Sequence, residues 1–169
     1  EAVNVYLTGF MGSGKSVVGA ALARLLRRPF VDLDRQIERE VGLTVAAIFE
    51  GGEAVFRRKE GQVLRRVSIR RGCVVALGGG TRLDAENRTR VARSGVLVRL
   101  TCGEAELWRR LKPDLAVRPL LDGPAPRRTL SRLLRARRGA YKDAAFSLST
   151  TRRSPKKAAD MIAAWLSKR

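Results

Sequence analysis

One octapeptide constrains this chain more than anything else in it: Gly9-Phe10-Met11-Gly12-Ser13-Gly14-Lys15-Ser16. The pattern G-x-x-x-x-G-K-[S/T] carries meaning only where a strand runs into it and a helix runs out. Both flanks fit. Residues 3–7 form a short apolar run that reads as a buried strand, and Val18, Leu22 and Leu25 follow at helical spacing. The glycines let the backbone curl so that successive N–H groups face phosphate oxygens, and the helix adds its positive N-terminal end. Lys15 can then reach the β- and γ-phosphates, while the Ser16 hydroxyl can ligate Mg²⁺. Gly12, Ser13, Gly14, Lys15, Ser16 and Val17 are therefore the candidate phosphate cradle. The motif asks for a nucleoside triphosphate and leaves the acceptor open.

The same alternation recurs downstream. Phe30-Val31 lead to Asp32, and a helical stretch follows from Arg35. Residues 73–77 (CVVAL) are a β-branched run that stops at Gly78-Gly79-Gly80, and Asp84 is placed to cap a helix reaching about Arg93. Residues 95–100 and 146–150 read as two more strands, and a last amphipathic helix carries Ala158, Ile162, Trp165 and Leu166. Strands alternating with helices imply right-handed βαβ units and a parallel sheet. Residues 112–128 interrupt the rhythm with four of the six prolines and one glycine. That composition reads as a mobile surface segment rather than a linker, because helical patterning resumes after it. With no repeat and no boundary, residues 1–169 are expected to form one domain.

Composition removes whole classes of chemistry. There is no histidine, so Ser-His-Asp hydrolysis, histidine general bases and imidazole metal sites are excluded. Cys73 and Cys102 stand alone among apolar neighbours and are expected to be buried thiols of a reducing cytosol. Acid–base work must fall to carboxylates, lysines or tyrosines. No apolar run approaches a membrane helix, and residues 1–8 lack a basic start followed by an apolar core, so no secretory signal and no membrane partner are expected. The net charge of +19 attracts anions, but the basic residues are spread as pairs along the chain, as on solvated helix faces. With only nine aromatic residues, nucleic-acid binding is expected to be nonspecific at most.

Three further constellations carry candidate chemistry. Asp32-Leu33-Asp34 ends the second strand, where alternation would aim both carboxylates one way and Leu33 into the core. In open α/β sheets ligands bind beyond the strands' carboxyl ends. One aspartate could hold Mg²⁺-bound water and the other accept a proton from a hydroxyl acceptor; otherwise Asp34 is a helix N-cap. Phe56, Glu60, Val63 and Val67 share one helical face, so Glu60 needs a partner there, and Arg57 lies one turn back. That pair either holds an arginine fork ready for an anion or is an ordinary surface ion pair. Gly78-Gly79-Gly80 either exposes backbone N–H groups to a ligand or makes a tight turn.

Taken together, these residues resemble the shikimate kinases. The P-loop, Asp32-x-Asp34, Phe56-Arg57, the glycine triplet, Val117-Arg118-Pro119-Leu120-Leu121 and Arg137-x-x-x-Tyr141 occur in that family's order and spacing, from about residue 3 to residue 155. The resemblance implies a three-layer α/β/α P-loop fold of the nucleoside-monophosphate-kinase kind, with a five-stranded parallel sheet, a substrate-binding region at 33–61 and a mobile lid at 112–126. It implies transfer of the γ-phosphoryl of ATP to the 3-hydroxyl of shikimate by a cytoplasmic monomer with one Mg²⁺. It assigns Asp34 as base, Lys15 and Arg118 as further catalytic groups, and Ser16 and Asp32 to the metal. Arg57 and Arg137 would grip the substrate carboxylate, Glu60 would orient Arg57, and Gly79 and Gly80 would offer amides. Arg118 would close onto phosphates, and Arg110 and Arg153 would flank adenine. Two departures stand out: Ala76-Leu77 occupy positions where many relatives carry Ser or Thr, and the Arg110–Arg118 spacing differs slightly. A gluconate kinase of the same fold, or a basic nucleic-acid-binding NTPase, remain the alternatives.

Overall fold

The run Asn-Val-Tyr-Leu-Thr is buried at every position, as expected of the middle strand of a covered parallel sheet. In the computed structural model, which describes residues 2–169, this strand is β1 (Asn4–Thr8). The remaining strands are β2 (Phe30–Asp32), β3 (Val74–Ala76), β4 (Gly95–Thr101) and β5 (Phe146–Ser149). All pair in parallel in the order β2-β3-β1-β4-β5, with Val5 opposite both Val74 and Val96. β1 thus sits at the point from which the chain is laid down on both sides, and the P-loop leaves from its carboxyl end.

Helices cover both faces. α1 (Lys15–Leu26) and α8 (Pro155–Leu166) lie on one, where Val5, Leu7, Leu22, Val98, Leu100 and Ile162 form a core. α2 (Leu33–Val41), α3 (Val45–Glu50), α4 (Glu53–Ile69) and α5 (Ala85–Ser94) lie on the other, around Tyr6, Leu33, Ile37, Phe56, Leu64 and Val75. Residues 5, 6 and 7 therefore serve alternate faces, as the period of two demands. The three-layer α/β/α expectation holds. Buried Asn4 closes the sheet's amino end: its amide donates to Arg70 O at 2.8 Å, and its Oδ1 accepts from Cys73 N at 2.9 Å.

Beyond β4 come α6 (Glu104–Leu111) and α7 (Pro126–Arg137), joined through the proline-rich segment. That segment is not structureless. It folds into two 3-10 turns, Lys112–Val117 and Pro119–Leu121, and Leu121 is 1% exposed in a cluster with Phe10, Leu107, Leu111, Leu130 and Tyr141. The expected buried pair of thiols also needs correcting: Cys73 is buried, but Cys102, just past β4, is only half-buried. No helix among the described residues is long and apolar enough to cross a membrane.

Candidate active site

The P-loop takes its shape from positive φ angles at Gly9 (150°), Gly12 (77°) and Gly14 (99°). At Gly9 a Cβ would also lie 2.4 Å from the Leu100 carbonyl, so only glycine fits. Lys15 Nζ donates to the carbonyls of Gly9 and Phe10, both at 2.9 Å. Burial lowers its pKa to about 8, against the opposing pull of Asp34 and Asp32. Ser16 Oγ donates to Asp32 Oδ2 at 2.5 Å. Arg110 reaches back from α6 to brace the loop, donating to Gly12 O at 3.0 Å and Thr150 O at 2.9 Å. Thr150 Oγ1 adds a bond to Ser13 O at 2.7 Å. Thr150, just past β5, is a site residue that sequence reasoning missed.

A cleft above this loop is lined by Gly12, Gly14, Lys15, Ser16, Val17, Asp32, Arg110, Arg118 and Arg153, among others. Of the residues assigned to the phosphate cradle, Ser13 alone stands apart: it is fully buried, leaving its backbone as its contribution. Arg153 is held by a bond to Ser149 O.

The aspartate pair does not sit on one strand. β2 ends at Asp32, which caps α2 by accepting from Arg35 N at 3.2 Å, and Asp34 lies in that helix's first turn. The cap is therefore Asp32, not Asp34. Helical geometry still sends Leu33 into the core, while both carboxylates face the cleft. Asp34 Oδ1 is buried and has no hydrogen-bond partner among the described residues. Burial, then Glu60 and Asp32, raise the Asp34 pKa to about 6, although Lys15 and Arg57 oppose the rise.

A second cleft adjoins the first, lined by Asp34, Phe49, Phe56, Arg57, Glu60, Gly78, Gly79, Gly80, Arg118 and Arg137, among others. Glu60 is 1% exposed, so its bond to Arg57 Nη1 at 2.9 Å is not a surface pair. Thr81, also unforeseen, donates to the other Glu60 oxygen at 2.6 Å. Crowding marks the two outer glycines: a Cβ at Gly78 would lie 2.7 Å from Glu60 Oε1, and one at Gly80 2.5 Å from Arg57 Nη2. Arg137 is 4% exposed at the end of α7, with its guanidinium 5.9 Å from the Phe10 ring centre. Tyr141 Oη donates to Gly79 O at 2.6 Å, a partner 62 residues away that the Arg137-x-x-x-Tyr141 spacing does not foretell. Met11, Asp34, Gly79 and Arg118 line both clefts, so the clefts meet at these four residues.

The comparisons with known proteins agree with this geometry. A family model described as "Shikimate kinase" matches residues 11–167. A curated shikimate kinase of Desulforudis audaxviator is 42% identical over 98% of this chain and 87% of its own length. One of Symbiobacterium thermophilum is 44% identical over 90% and 89%. The solved shikimate kinase of Acinetobacter baumannii in complex with shikimate superposes with a TM-score of 0.95 at 36% identity, covering 99% of this chain and 94% of that one. A gluconokinase of Sinorhizobium meliloti, 18% identical with a TM-score of 0.58, shares the fold alone. On these matches, the chain belongs to the shikimate kinase family.

Proposed function

We propose that this chain transfers the γ-phosphoryl of ATP to the 3-hydroxyl of shikimate, with the reaction centred where the two clefts meet. The observation that carries this reading is the sharing of Asp34, Gly79 and Arg118 between a P-loop cleft and a cleft walled by two arginines. Phosphoryl transfer is mostly positioning and charge neutralisation. Lys15 and the loop amides take the β- and γ-phosphates; Arg110 and Arg153 flank the base. Arg57 and Arg137 grip the acceptor carboxylate as forks, Glu60 fixes the first of them, and the amides of Gly79 and Gly80 hold the ring. Asp34, with a pKa about 6, is ionised at neutral pH yet basic enough to accept the hydroxyl proton. Arg118 neutralises charge on the moving phosphoryl. Its place between two short proline-bounded turns suits a lid that closes over both substrates.

Ser16 and Asp32 would hold one Mg²⁺. Their donors are hard oxygens 2.5 Å apart, and the described residues offer no cluster of three His, Cys, Asp or Glu. Such a set fits an ion that takes its remaining ligands from phosphate and water. When bound, Mg²⁺ supplies neutralisation of the β- and γ-phosphate charge. Leu77 lines the nucleotide cleft and brings no hydroxyl, so Ser16 and Asp32 carry this role without one from that position. Action as a monomer in the cytoplasm, where ATP is supplied, belongs to the same proposal. The test is nucleotide turnover with and without shikimate. Shikimate-dependent ADP release with a phosphorylated product is expected; equal hydrolysis without shikimate, or preference for gluconate, overturns the reading.

A further inference from the structure

Arg82, in the 3-10 turn Thr81–Leu83, is 5% exposed. Among the described residues its guanidinium meets no carboxylate within ion-pair distance. Burial lowers its pKa, so its position carries a real electrostatic cost. An apolar side chain of similar length would fill the space without that cost. What the charged head offers is donors: Nη1 bonds the carbonyls of Ala140 and Lys142, both at 2.9 Å, one on each side of Tyr141, while Nε is buried with no partner among the described residues.

Ala140 lies in the turn Arg138–Tyr141 that directly follows Arg137, and Lys142 ends that turn. Tyr141 answers in the opposite direction, from that turn to Gly79 O at 2.6 Å. Two links of opposite sense therefore tie residues 79–82 to residues 137–142. The glycine side is anchored in turn. Thr81 O accepts from Asn87 at 3.1 Å, Arg82 O and Leu83 O accept from Arg88 at 3.0 Å, and Thr81 Oγ1 donates to the carboxylate that holds Arg57. Arg57, the glycines and the turn after Arg137 are thus parts of one hydrogen-bonded frame with Arg82 as its cross-piece, and Arg137 is joined to it through the chain, one residue before that turn.

We infer that Arg82 is a positioning residue that sets the placement of Arg137 relative to Arg57 and Gly79-Gly80, and so the fit of a carboxylate-bearing acceptor. The inference rests on the reading that Arg57 and Arg137 grip that carboxylate. The experiment compares Arg82→Met, Arg82→Lys, Arg137→Lys and the double variant Arg82→Met/Arg137→Lys, with kcat and both KM values measured on protein folded by circular dichroism. Arg82→Met is expected to raise the shikimate KM by about tenfold, the scale of one charge-assisted hydrogen bond, and to leave the ATP KM nearly unchanged. Arg82→Lys, which keeps a donor, is expected to fall between, and it carries the test alone if the Met variant does not fold. The cost of Arg137→Lys is expected to shrink in the Arg82→Met background, because a misplaced fork has less to lose. An ATP KM that rises as much as the shikimate KM would refute the inference. So would strict additivity of the two substitutions. A normal shikimate KM for Arg137→Lys alone would instead sink the carboxylate grip, and this inference with it.

Discussion

Asp34→Asn is expected to make the protein slower and more stable at once. The folded carboxyl titrates at about 6 instead of 3.8, a rise of roughly two units, and each unit is worth about 1.4 kcal/mol. At neutral pH the folded state therefore bears an ionisation penalty of roughly 3 kcal/mol, with the attraction of Lys15 and Arg57 already included. The folded carboxyl holds its proton more tightly than the unfolded one, so stability falls as pH rises from about 4 to about 6 and then levels. Asparagine cannot ionise and keeps nearly the same shape. The variant should gain up to about 3 kcal/mol at pH 7.5, or roughly 6–12 °C in Tm for a domain of this size. Meanwhile kcat should fall by about 100-fold or more, because the proton acceptor is gone. Thermal unfolding followed by circular dichroism between pH 4 and 8 reads the stability gap directly. A gap of the same size at pH 4 and pH 7.5, or no gap at all, would refute the burial argument. Near-normal kcat would refute the base assignment.

Three other outcomes follow from the same geometry. Gly80→Ala puts a Cβ 2.5 Å from Arg57 Nη2, so the guanidinium must shift from the place where Glu60 holds it; steady-state kinetics should show a shikimate KM raised tenfold or more, roughly one bidentate contact, with little change for ATP. The pH profile of kcat/KM for shikimate should rise through about 6 as Asp34 ionises, while that for ATP should fall above about 8 as Lys15 loses its proton; flat profiles from pH 5 to 9 would contradict both shifts. Arg118→Ala should lower kcat by about 100-fold and raise the ATP KM far less, since its contact is made chiefly in the transition state; the reverse split in initial-rate measurements would make it a ground-state ATP ligand.

What could be read from the sequence was whatever depends on local period and spacing. The P-loop between strand and helix, the Asp84 cap and the buried Glu60 on an apolar stripe all emerge from residues within two turns of each other. Both aspartates line the cleft, but not for the reason that strand alternation supplies. Alternation assumed a strand through residue 34, but β2 ends at Asp32 and the helix begins at Leu33; both geometries happen to bury Leu33 and free its neighbours. The side chains of Thr81, Arg82, Tyr141 and Thr150 reach partners 21 to 137 residues away, and no local pattern encodes such distances. The proline-rich segment was read as a surface stretch because its composition hides Leu121, a single anchoring side chain. Cys102 looked apolar in its surroundings, yet the strand ends beneath it and leaves it at the rim.

The ammonium of Lys15 is a tripod with two feet already planted. An sp³ nitrogen carries three hydrogens at fixed angles, and the carbonyls of Gly9 and Phe10 engage two of them. The direction of the third is then no longer a matter of side-chain freedom; the loop's own backbone dictates it. A flexible four-carbon arm is thereby converted into a pointer whose bearing is set by the glycines that shape the loop. An arginine at the same place would bring equal charge but a flat fork, with no such third direction out of its plane. The aim of the charge, as much as its presence, is what this short loop specifies.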